Sequence, residues 1–227
     1  MKKHIVILSG AGISAESGIK TFRDSDGLWM GHNINDVATP MGFAKNPALV
    51  LDFYNQRRQE VKKALPNLAH KGLADLEEKF NVTIITQNID DLHERGGSSN
   101  IIHLHGEIFK ARSCTDGLKI YSIEKDILVG DCAEDGHQLR PHIVWFEEEV
   151  PMIETAVNMV RTADIFVVIG TSLQVYPAAG LLDMVEDEVP KFIIDKKIPV
   201  VNAVKNIIPL EGTASEGVER LKQLLLH

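Results

Sequence analysis

The sequence predicts an α/β fold with a mainly parallel sheet, helices on both faces and a small inserted domain. Continuous apolar runs alternate with helix-like segments, which is typical of parallel strands buried on both faces. A glycine-rich turn, residues 10–18, directly follows the first apolar run at 5–8. The next convincing strand begins only at residue 82, so the intervening segment is long enough to carry a module of its own.

Length and charge limit the classes of function. A chain of 227 residues with 44% hydrophobic residues can bury one substantial core with a small subdomain. The formal net charge of −8 provides no continuous basic surface, so we expect no direct binding of nucleic acid. Because no apolar run is long enough for a signal peptide or a membrane span, we expect a cytoplasmic protein without a membrane partner. The two cysteines, Cys114 and Cys132, should then be reduced rather than paired.

Hydrophobic periodicity assigns the elements along the chain. The predicted strands are 5–8, 82–86, 101–104, 143–146, 164–169, 192–194 and 200–201. The predicted helices are 47–65, 69–80, 152–161, 177–185 and 215–226, and Ser215 is the expected N-cap of the last one. Residues 112–140 are charged, contain glycine and are weakly periodic, which indicates the loosest part of the chain.

The glycine-rich turn is a candidate phosphate site. A strand that ends at such a turn and runs into a helix leaves backbone N–H groups free for a diphosphate, with the positive end of the helix dipole behind them. The third glycine is Gly18 rather than a residue three positions after Gly12, so the spacing is not that of the dehydrogenase fingerprint. The alternative is a glycine-rich turn that binds nothing.

Polar clusters follow three of the predicted strands, at 87–91, 103–106 and 170–172. Each cluster alone is ordinary turn and capping chemistry, because Asn, Asp, Ser and Gly are the residues that turns use. The carboxyl ends of parallel strands, however, lie at one edge of the sheet, where open α/β sheets bind their ligands. The three clusters together therefore predict a ligand site at that edge.

Several motifs occur in an order that points to one family. They are Gly10-Ala11-Gly12-Ile13-Ser14, Phe22-Arg23, Gly27-Leu28-Trp29, the run TQNIDDLH at 86–93, Leu104-His105-Gly106, Leu139-Arg140-Pro141, Val144-Trp145-Phe146 and Gly170-Thr171-Ser172. From about residue 5 to residue 218 the chain resembles the sirtuins, which are NAD-dependent protein-lysine deacylases. The resemblance implies one catalytic domain over 1–227, in which a Rossmann-like sheet carries a small domain built from insertions at about 20–66 and 111–139. NAD and an acyl-lysine protein or peptide would meet in the cleft.

The resemblance also implies the residues of the site. NAD, as the co-substrate, would contact Gly10, Ala11, Gly12, Ser14, Ala15, Thr21, Phe22, Arg23, Trp29, Gln87, Asn88, Ile89, Asp90, Gly170, Thr171, Ser172, Asp195 and Ala214. Asp195 is the least typical of these, because Ile194-Asp195-Lys196 departs from the family's more frequent asparagine pattern. His105 and Asn88 are the implied catalytic residues.

The family reaction explains why these residue types are needed. The acyl-lysine carbonyl oxygen attacks C1′ of the nicotinamide ribose and expels nicotinamide, and a ribose hydroxyl then attacks the imidate carbon, which leads to O-acyl-ADP-ribose. A neutral imidazole such as that of His105 can act as the base at the second step. Asn88 and Asp90 can hold the nicotinamide amide and an ordered water by directional hydrogen bonds. Two alternatives remain open, a protein ADP-ribosyltransferase and a non-catalytic NAD-sensing module.

A pair of side chains bears on the acyl group that is removed. Tyr54 and Arg57, three residues apart on the predicted helix, share a face, although Arg57 and Arg58 could simply be solvated. The segment 53–58 resembles that of sirtuins that prefer negatively charged acyl groups, whose distal carboxylate a guanidinium can hold by two hydrogen bonds. We therefore expect desuccinylase and demalonylase activity alongside deacetylation. The implied substrate-binding residues are Ala38, Tyr54, Arg57, Val144 and Phe146.

The metal site of the family is incomplete in this chain. Most sirtuins hold a structural zinc with two Cys-x-x-Cys pairs, and here each pair keeps one cysteine, Cys114 and Cys132. Zinc is not expected, because two of the four family cysteines are absent. A mixed site of Cys114, Cys132, Asp135 and His137 remains as an alternative, since zinc also accepts nitrogen and oxygen ligands.

Overall fold

The structure is a computed structural model that describes residues 2–20, 31–115, 117–201 and 204–226. Its strands are β1 His4–Ser9, β2 Asn81–Thr86, β3 Ile101–His103, β4 Gly106–Ser113, β5 Ile120–Ser122, β6 Leu139–Ile143, β7 Ile165–Ile169, β8 Lys191–Asp195 and β9 Ile207–Glu211. Its α-helices are α1 Ile34–Val37, α2 Pro40–Lys45, α3 Pro47–Lys63, α4 Leu68–Asp75, α5 Leu92–Gly96, α6 Ile153–Val160 and α7 Ala214–Leu226, and short 3₁₀ helices cover Ala11–Ser17, Leu76–Glu78 and Ala178–Met184. Within the described residues, no helix is both long and apolar enough to cross a membrane.

Six strands form one parallel sheet in the order β3-β2-β1-β7-β8-β9, which confirms the predicted parallel sheet. The central strand β1 pairs with β2 on one side and with β7 on the other. The chain order therefore changes direction at β1. In open α/β sheets, ligands bind at such a switch point, outside the carboxyl ends of the strands.

The central strand has no polar face. Ile5 and Ile7 belong to a core cluster with side chains of α4 and α7, whereas Val6 and Leu8 belong to a second cluster with side chains of α6 and of the 3₁₀ helix Ala178–Met184. All four β1 side chains are fully buried. A strand that is apolar on both faces must be covered on both, and this requirement places helices on either side of the sheet.

A second sheet, with the order β5-β4-β6, is antiparallel and lies apart from the main one. We refer to this sheet, the segments that join its strands and the helices α1, α2 and α3 as the small lobe. Phe53 of α3 packs in one cluster with Ile108 of β4 and Ile143 of β6. Two segments that are distant in sequence thus share a core next to the main sheet.

Two predictions about strands are wrong. Residues 143–146 do not form a strand of the main sheet, because β6 ends at Ile143 and pairs with β4 of the small lobe. Residues 200–201 are not in a strand, and the edge strand next to β8 is β9. The sequence of β9 contains Pro209, which an edge strand tolerates but which interrupts the pattern of a buried strand.

The helix predictions at 47–65 and 152–161 are confirmed as α3 and α6, but others differ in type or start. The helix expected at 69–80 is α4 followed by a 3₁₀ turn, and that expected at 177–185 is a 3₁₀ helix. Ser215 is not the N-cap of α7. Instead, the N–H of Glu216 donates to Thr213 Oγ1 at 3.3 Å and the N–H of Thr213 donates to Glu216 Oε2 at 2.9 Å, a reciprocal capping box.

Candidate active site

A cavity of about 750 Å³ lies at the carboxyl edge of the main sheet, beside the small lobe. It is lined by the turns that follow β1, β2, β3, β7 and β8, by α3 and by the segment after β6. The predicted site residues that line it are Gly10, Ala11, Gly12, Ser14, Ala15, Ala38, Tyr54, Arg57, Gln87, Asn88, Ile89, Asp90, His105, Val144, Phe146, Gly170, Thr171, Ser172, Asp195 and Ala214. Thr21, Phe22, Arg23 and Trp29 lie outside the described residues. Motifs that are far apart in sequence therefore converge on one cavity.

The glycine-rich turn packs against the turn after β7. A Cβ atom on Gly12 would stand 2.6 Å from Cα of Gly170, so the two turns meet backbone to backbone and require glycine. The N–H of Gly12 donates to the carbonyl of Gly170 at 2.8 Å, and the N–H of Gly10 donates to that of Ile169 at 3.0 Å. The expectation that the turn leaves its N–H groups free for a diphosphate is therefore wrong for Gly10 and Gly12. Gly10 and Gly12, which have no side chain, instead line the cavity with backbone atoms.

His105, two residues after the end of β3, lines the cavity with a defined tautomer. Its Nδ1 lies 2.9 Å from the carbonyl oxygen of Gln87, which can only accept, so the proton is on Nδ1 and the neutral ring keeps a lone pair on Nε2. Burial lowers the pKa of His105 below the usual 6.5. The imidazole is therefore neutral at pH 7 and can accept a proton at Nε2.

Asn88 and Asp90 form a buried polar corner with Ser14. Nδ2 of Asn88 donates to the carbonyl of Gly10 and to Ser14 Oγ, each at 3.2 Å, and Ser14 donates to Asp90 Oδ2 at 3.0 Å. This arrangement leaves Asn88 Oδ1, which is bonded to none of the described residues, as an acceptor for a ligand. Burial raises the pKa of Asp90, although Ser14 and the backbone N–H of Leu92 both donate to its carboxylate.

The turns after β7 and β8 supply hydroxyl and carboxylate groups. Gln87 Nε2 donates to Thr171 Oγ1 at 3.1 Å and so joins the ends of β2 and β7. Asp195 ends β8, and its Oδ1 accepts the N–H of Lys197 at 3.1 Å. Sequence reasoning missed Lys196 and Lys197 as cavity residues. Their position directly after a parallel strand is the signal that could have identified them.

Tyr54 and Arg57 lie on one side of α3, in the cavity wall. Tyr54 is 2% exposed, and the side chain of Arg57 is 6% exposed. Burial lowers the pKa of Arg57 and raises that of Tyr54, so the phenol is uncharged at pH 7. Glu60 Oε2 lies 3.6 Å from Arg57 Nη1 and offsets part of the buried charge. The alternative of solvated arginines on this helix is wrong.

Arg58 has a different environment from Arg57. It is fully buried, its Nε donates to the carbonyl of Ile108 at 2.9 Å, and its Nη1 donates to Asn55 Oδ1 at 2.7 Å. Asn55 also bonds both the N–H and the carbonyl of Ile127. Arg58 therefore attaches α3 to the rest of the small lobe, while Arg57 contributes to the cavity.

Trp145, which sequence reasoning did not assign to the site, closes the wall next to Tyr54 with a ring separation of 6.4 Å. The guanidinium carbon of Arg140 lies 3.3 Å from the centroid of the Trp145 ring, and its Nη1 lies 2.7 Å from Glu148 Oε1. Burial raises the pKa of Glu148, but hydrogen bonding from Arg140 opposes this effect and holds the pKa below its usual value. The buried aromatic ring inside the motif at 144–146 is a signal that could have identified this wall.

The segment after β6 joins the two predicted substrate-binding regions. The N–H of Val144 donates to the carbonyl of His105 at 2.9 Å. The N–H of Phe146 donates to the carbonyl of Ala38 at 3.0 Å. This segment therefore spans the distance between the imidazole and the side of the cavity that carries Tyr54 and Arg57.

Hydrogen bonds hold the part of the small lobe that contains the cysteines. Nε2 of Gln138 donates to the carbonyls of Leu128 and Leu139, each at 2.9 Å, and its Oε1 accepts the N–H of Gly130 at 2.7 Å. The segment 112–140 is expected from sequence to be the loosest part of the chain. It contains the strand β5 and a turn at 128–131 to which the Gln138 side chain is bonded at several points.

The mixed metal site is not assembled in the described part of the chain. There, three metal-ligating side chains approach one another within 4.8 Å only at Glu94, His103 and Glu107, and Glu107 is paired with Lys110 at 2.7 Å. Both cysteines are exposed and free, and Cys132 Sγ bonds a backbone carbonyl. The absence of zinc from the protein stays a prediction, which metal analysis can test.

The fold and the site together define an α/β protein with a ligand cavity at the switch point of a Rossmann-like sheet. The Sir2 family model matches residues 10–177. A Helicobacter pylori protein named NAD-dependent protein deacylase is 52% identical over 225 residues, with 99% of this chain and 98% of that protein covered. A Bacteroides thetaiotaomicron protein of the same name is 54% identical over 230 residues, with the same coverage.

The similarity extends to solved structures. The crystal structure of a Sir2 homolog–NAD complex is 37% identical and superimposes with a TM-score of 0.86, covering 99% of this chain and 91% of that chain. Sequence identity and fold thus agree over nearly the whole length. The chain belongs to the Sir2 family.

Proposed function

We propose that this chain, an NAD-dependent protein deacylase of the Sir2 family, removes succinyl and malonyl groups from protein lysines as well as acetyl groups. The observation that carries the proposal is that Tyr54 and Arg57 line the same cavity as His105. An acidic acyl chain bound there meets a cation and a phenol at its distal end and an imidazole near its carbonyl end.

The residues around the cavity fit NAD. The close contact between Gly12 and Gly170 leaves bare backbone against which a nucleotide can lie. Thr171 and Asn88 add hydroxyl and amide groups of the kind that bind a ribose and a carboxamide. When bound, NAD supplies the ribose carbon that receives the acyl oxygen, with loss of nicotinamide.

The proposed catalytic residues have separate tasks. His105 accepts a proton at Nε2, while its Nδ1–H stays bonded to the carbonyl of Gln87 and holds the ring in place. Asn88, whose Nδ2 is held by Gly10 and Ser14, presents Oδ1 to the nicotinamide amide or to a water. The burial of these groups keeps the imidazole neutral and limits the access of bulk water.

Arg57 is proposed to select the acyl group by its charge. A guanidinium can hold a carboxylate by two parallel hydrogen bonds, and an acetyl group offers none. Because its side chain is 6% exposed, water screens this attraction less than it would at the surface. Ala38, itself buried in the wall, is small and leaves room for the longer chain.

Two other functions could use the same cavity, namely transfer of ADP-ribose to a protein side chain and sensing of NAD without catalysis. Neither one needs a cationic pocket for an acyl carboxylate, nor a neutral imidazole with a free lone pair. The combination of Arg57 and His105 therefore favours deacylation.

Product analysis tests the proposed function. Peptides of one sequence that carry acetyl-, succinyl- or malonyl-lysine are incubated with NAD, and mass spectrometry quantifies nicotinamide, free lysine peptide and O-acyl-ADP-ribose. Deacylation gives the three products in equal amounts. A gain of ADP-ribose mass on the peptide or protein would indicate the transferase, and NAD binding without turnover would indicate the sensor. Turnover of the acetyl peptide alone would restrict the function to deacetylation.

A further inference from the structure

A chain of buried polar groups lies behind the cavity, between β1, β2 and α5. Ser9 Oγ donates to Thr86 Oγ1 at 2.9 Å, and His93 Nε2 lies 2.9 Å from Ser9 Oγ. The backbone N–H of Asn88 donates to the same Thr86 Oγ1 at 3.0 Å. Ser9 and Thr86 are fully buried, His93 is 1% exposed and Asn88 is 6% exposed.

The hydrogens that join His93, Ser9 and Thr86 have only one arrangement. Ser9 uses its single hydroxyl hydrogen for Thr86, so Ser9 Oγ must accept from His93 Nε2–H. His93 Nδ1 is buried and has no partner among the described residues. Burial lowers the pKa of His93 well below 6.5, so the ring is neutral and Nε2–H is its one donor. His93 is therefore the donor at the far end of the chain.

The two residues that follow Thr86, Gln87 and Asn88, line the cavity, and both are bonded to this group of polar residues. The carbonyl of Ser9 accepts the N–H of Gln87 at 2.9 Å, and the carbonyl of Gln87 accepts from His105 Nδ1. The Ser9 hydroxyl, through Thr86, holds the N–H of Asn88. The position of Ser9 thus affects both proposed catalytic side chains.

We propose that His93 is a positioning residue for deacylation, which acts through Ser9 and Thr86 on the backbone of Asn88. The inference rests on the proposed function, because it takes Asn88 as part of the catalytic site. His93 itself is absent from the cavity lining and cannot touch a ligand there. Without the Nε2–H of His93, the Ser9 hydroxyl loses its fixed direction. Thr86 Oγ1, which accepts the Asn88 N–H, then loses its fixed position.

The competing explanation is that His93 only packs. His70 is a matched control for it, because its ring is also fully buried and lies 5.0 Å from the ring of His93. His70 bonds Asn67, within α4 and its cap, and no bond joins it to Ser9 or Thr86 among the described residues. A packing role predicts similar effects at both histidines.

The test compares three variants by steady-state kinetics and thermal melting. His93→Phe keeps a ring but has no donor, and it should lower kcat about tenfold, which corresponds to about 1.4 kcal/mol of barrier, with KM for the acyl peptide unchanged. His93→Gln carries an N–H at a similar reach and should recover most of kcat. His70→Phe should lower Tm while kcat stays within about twofold. A folded His93→Phe with wild-type kcat, or no recovery by His93→Gln, overturns the proposal.

A double-mutant cycle identifies the route of the effect. If His93 acts through Asn88, then His93→Phe should cost little further rate in an Asn88→Ala background, because interacting sites are not additive. Fully additive losses overturn the proposal. If His93→Phe does not fold, Ser9→Ala removes the same relay with a smaller change, and a wild-type kcat in that variant is equally decisive. If the wild-type protein releases no nicotinamide from NAD, the proposed function itself is wrong. The comparisons among active variants test only the role of His93.

Discussion

His105 and Gln87 are joined by a hydrogen bond of 2.9 Å that connects the segments following two neighbouring strands, β3 and β2. Because a carbonyl oxygen can only accept, this bond places the proton on Nδ1 and directs the basic Nε2 away from the backbone. The same bond prevents the ring from turning. One contact between residues 18 positions apart thus determines both the tautomer and the orientation of the proposed base.

Replacement of His105 by alanine should lower the rate of deacylation by about 10²–10⁴, the usual effect of losing a positioned general base. Binding of ADP-ribose, measured by calorimetry, should survive. His103→Gln is the control, since His103 bonds the exposed Glu94 and is not part of the cavity lining. A His105→Ala variant that turns over near the wild-type rate would exclude His105 as the base.

The pH profile should show the lowered pKa of His105. The imidazole is inactive as a base once it is protonated, and burial moves that protonation below pH 6.5. The acid limb of kcat/KM should therefore lie below pH 6.5. The profile is measured with one succinyl peptide across pH 5–8. An acid limb centred above pH 7 would contradict the assignment.

Arg57→Met should reduce kcat/KM for a succinyl peptide by on the order of 10²-fold or more, with little change for the matched acetyl peptide. The reason is that removal of one partner of a partly dehydrated charge pair costs roughly 2–5 kcal/mol, and about 1.4 kcal/mol is a factor of ten in rate. Tyr54→Phe should shift the selectivity in the same direction but less, because it deletes one neutral hydrogen bond and keeps the ring.

Arg58→Met is the matched control for Arg57→Met. Arg58 bonds Ile108 and Asn55 within the small lobe, so its loss should lower Tm and affect both peptides alike. Equal losses on the succinyl and acetyl peptides in Arg57→Met would show that Arg57 supports the fold or the cofactor. The acyl-carboxylate proposal would then be abandoned.

The purified protein should contain no stoichiometric zinc and should melt at the same temperature with and without a chelator. A structural zinc contributes folding free energy directly, so a zinc-dependent lobe would lose stability on chelation. Gln138→Ala should lower Tm in both conditions, because the Gln138 amide bonds four backbone groups between Leu128 and Leu139. About one zinc per chain by elemental analysis, with chelator-sensitive melting, would restore the mixed Cys/Asp/His site.

Stability should fall as the pH drops from 6.5 towards 4. Burial lowers the pKa of His70 to about 4, so below pH 6.5 the unfolded chain takes up a proton that the folded protein does not. This one residue can remove up to about 3 kcal/mol of stability over that range, and above pH 6.5 it contributes no pH dependence. Urea unfolding of the wild type and His70→Gln between pH 7 and 4.5 tests this. The variant should lose less stability on acidification, and identical pH slopes would contradict the expectation.

Elements buried on both faces were the easiest to predict from sequence. β1 and β7 appear as continuous apolar runs because both of their faces pack against helices, and both predictions are confirmed. β4 mixes buried and partly exposed positions, β5 is short and has no buried residue, and no apolar run marks either strand. They form a sheet because β4 pairs with β5 on one side and with the more distant β6 on the other, and local pattern does not contain that information.

The sequence by itself determined the family, the parallel sheet and the motifs that converge on its carboxyl edge. The residue pattern alone left open whether Arg57 and Arg58 are solvated, and only the tertiary structure decided that Arg57 lines the cavity while Arg58 bonds the small lobe. The tertiary structure also decided that the N–H groups of Gly10 and Gly12 are occupied by the turn after β7. The physical reason is the same in both cases. A side chain or an N–H group is satisfied by whatever the fold brings next to it, and that neighbour lies far away in the sequence.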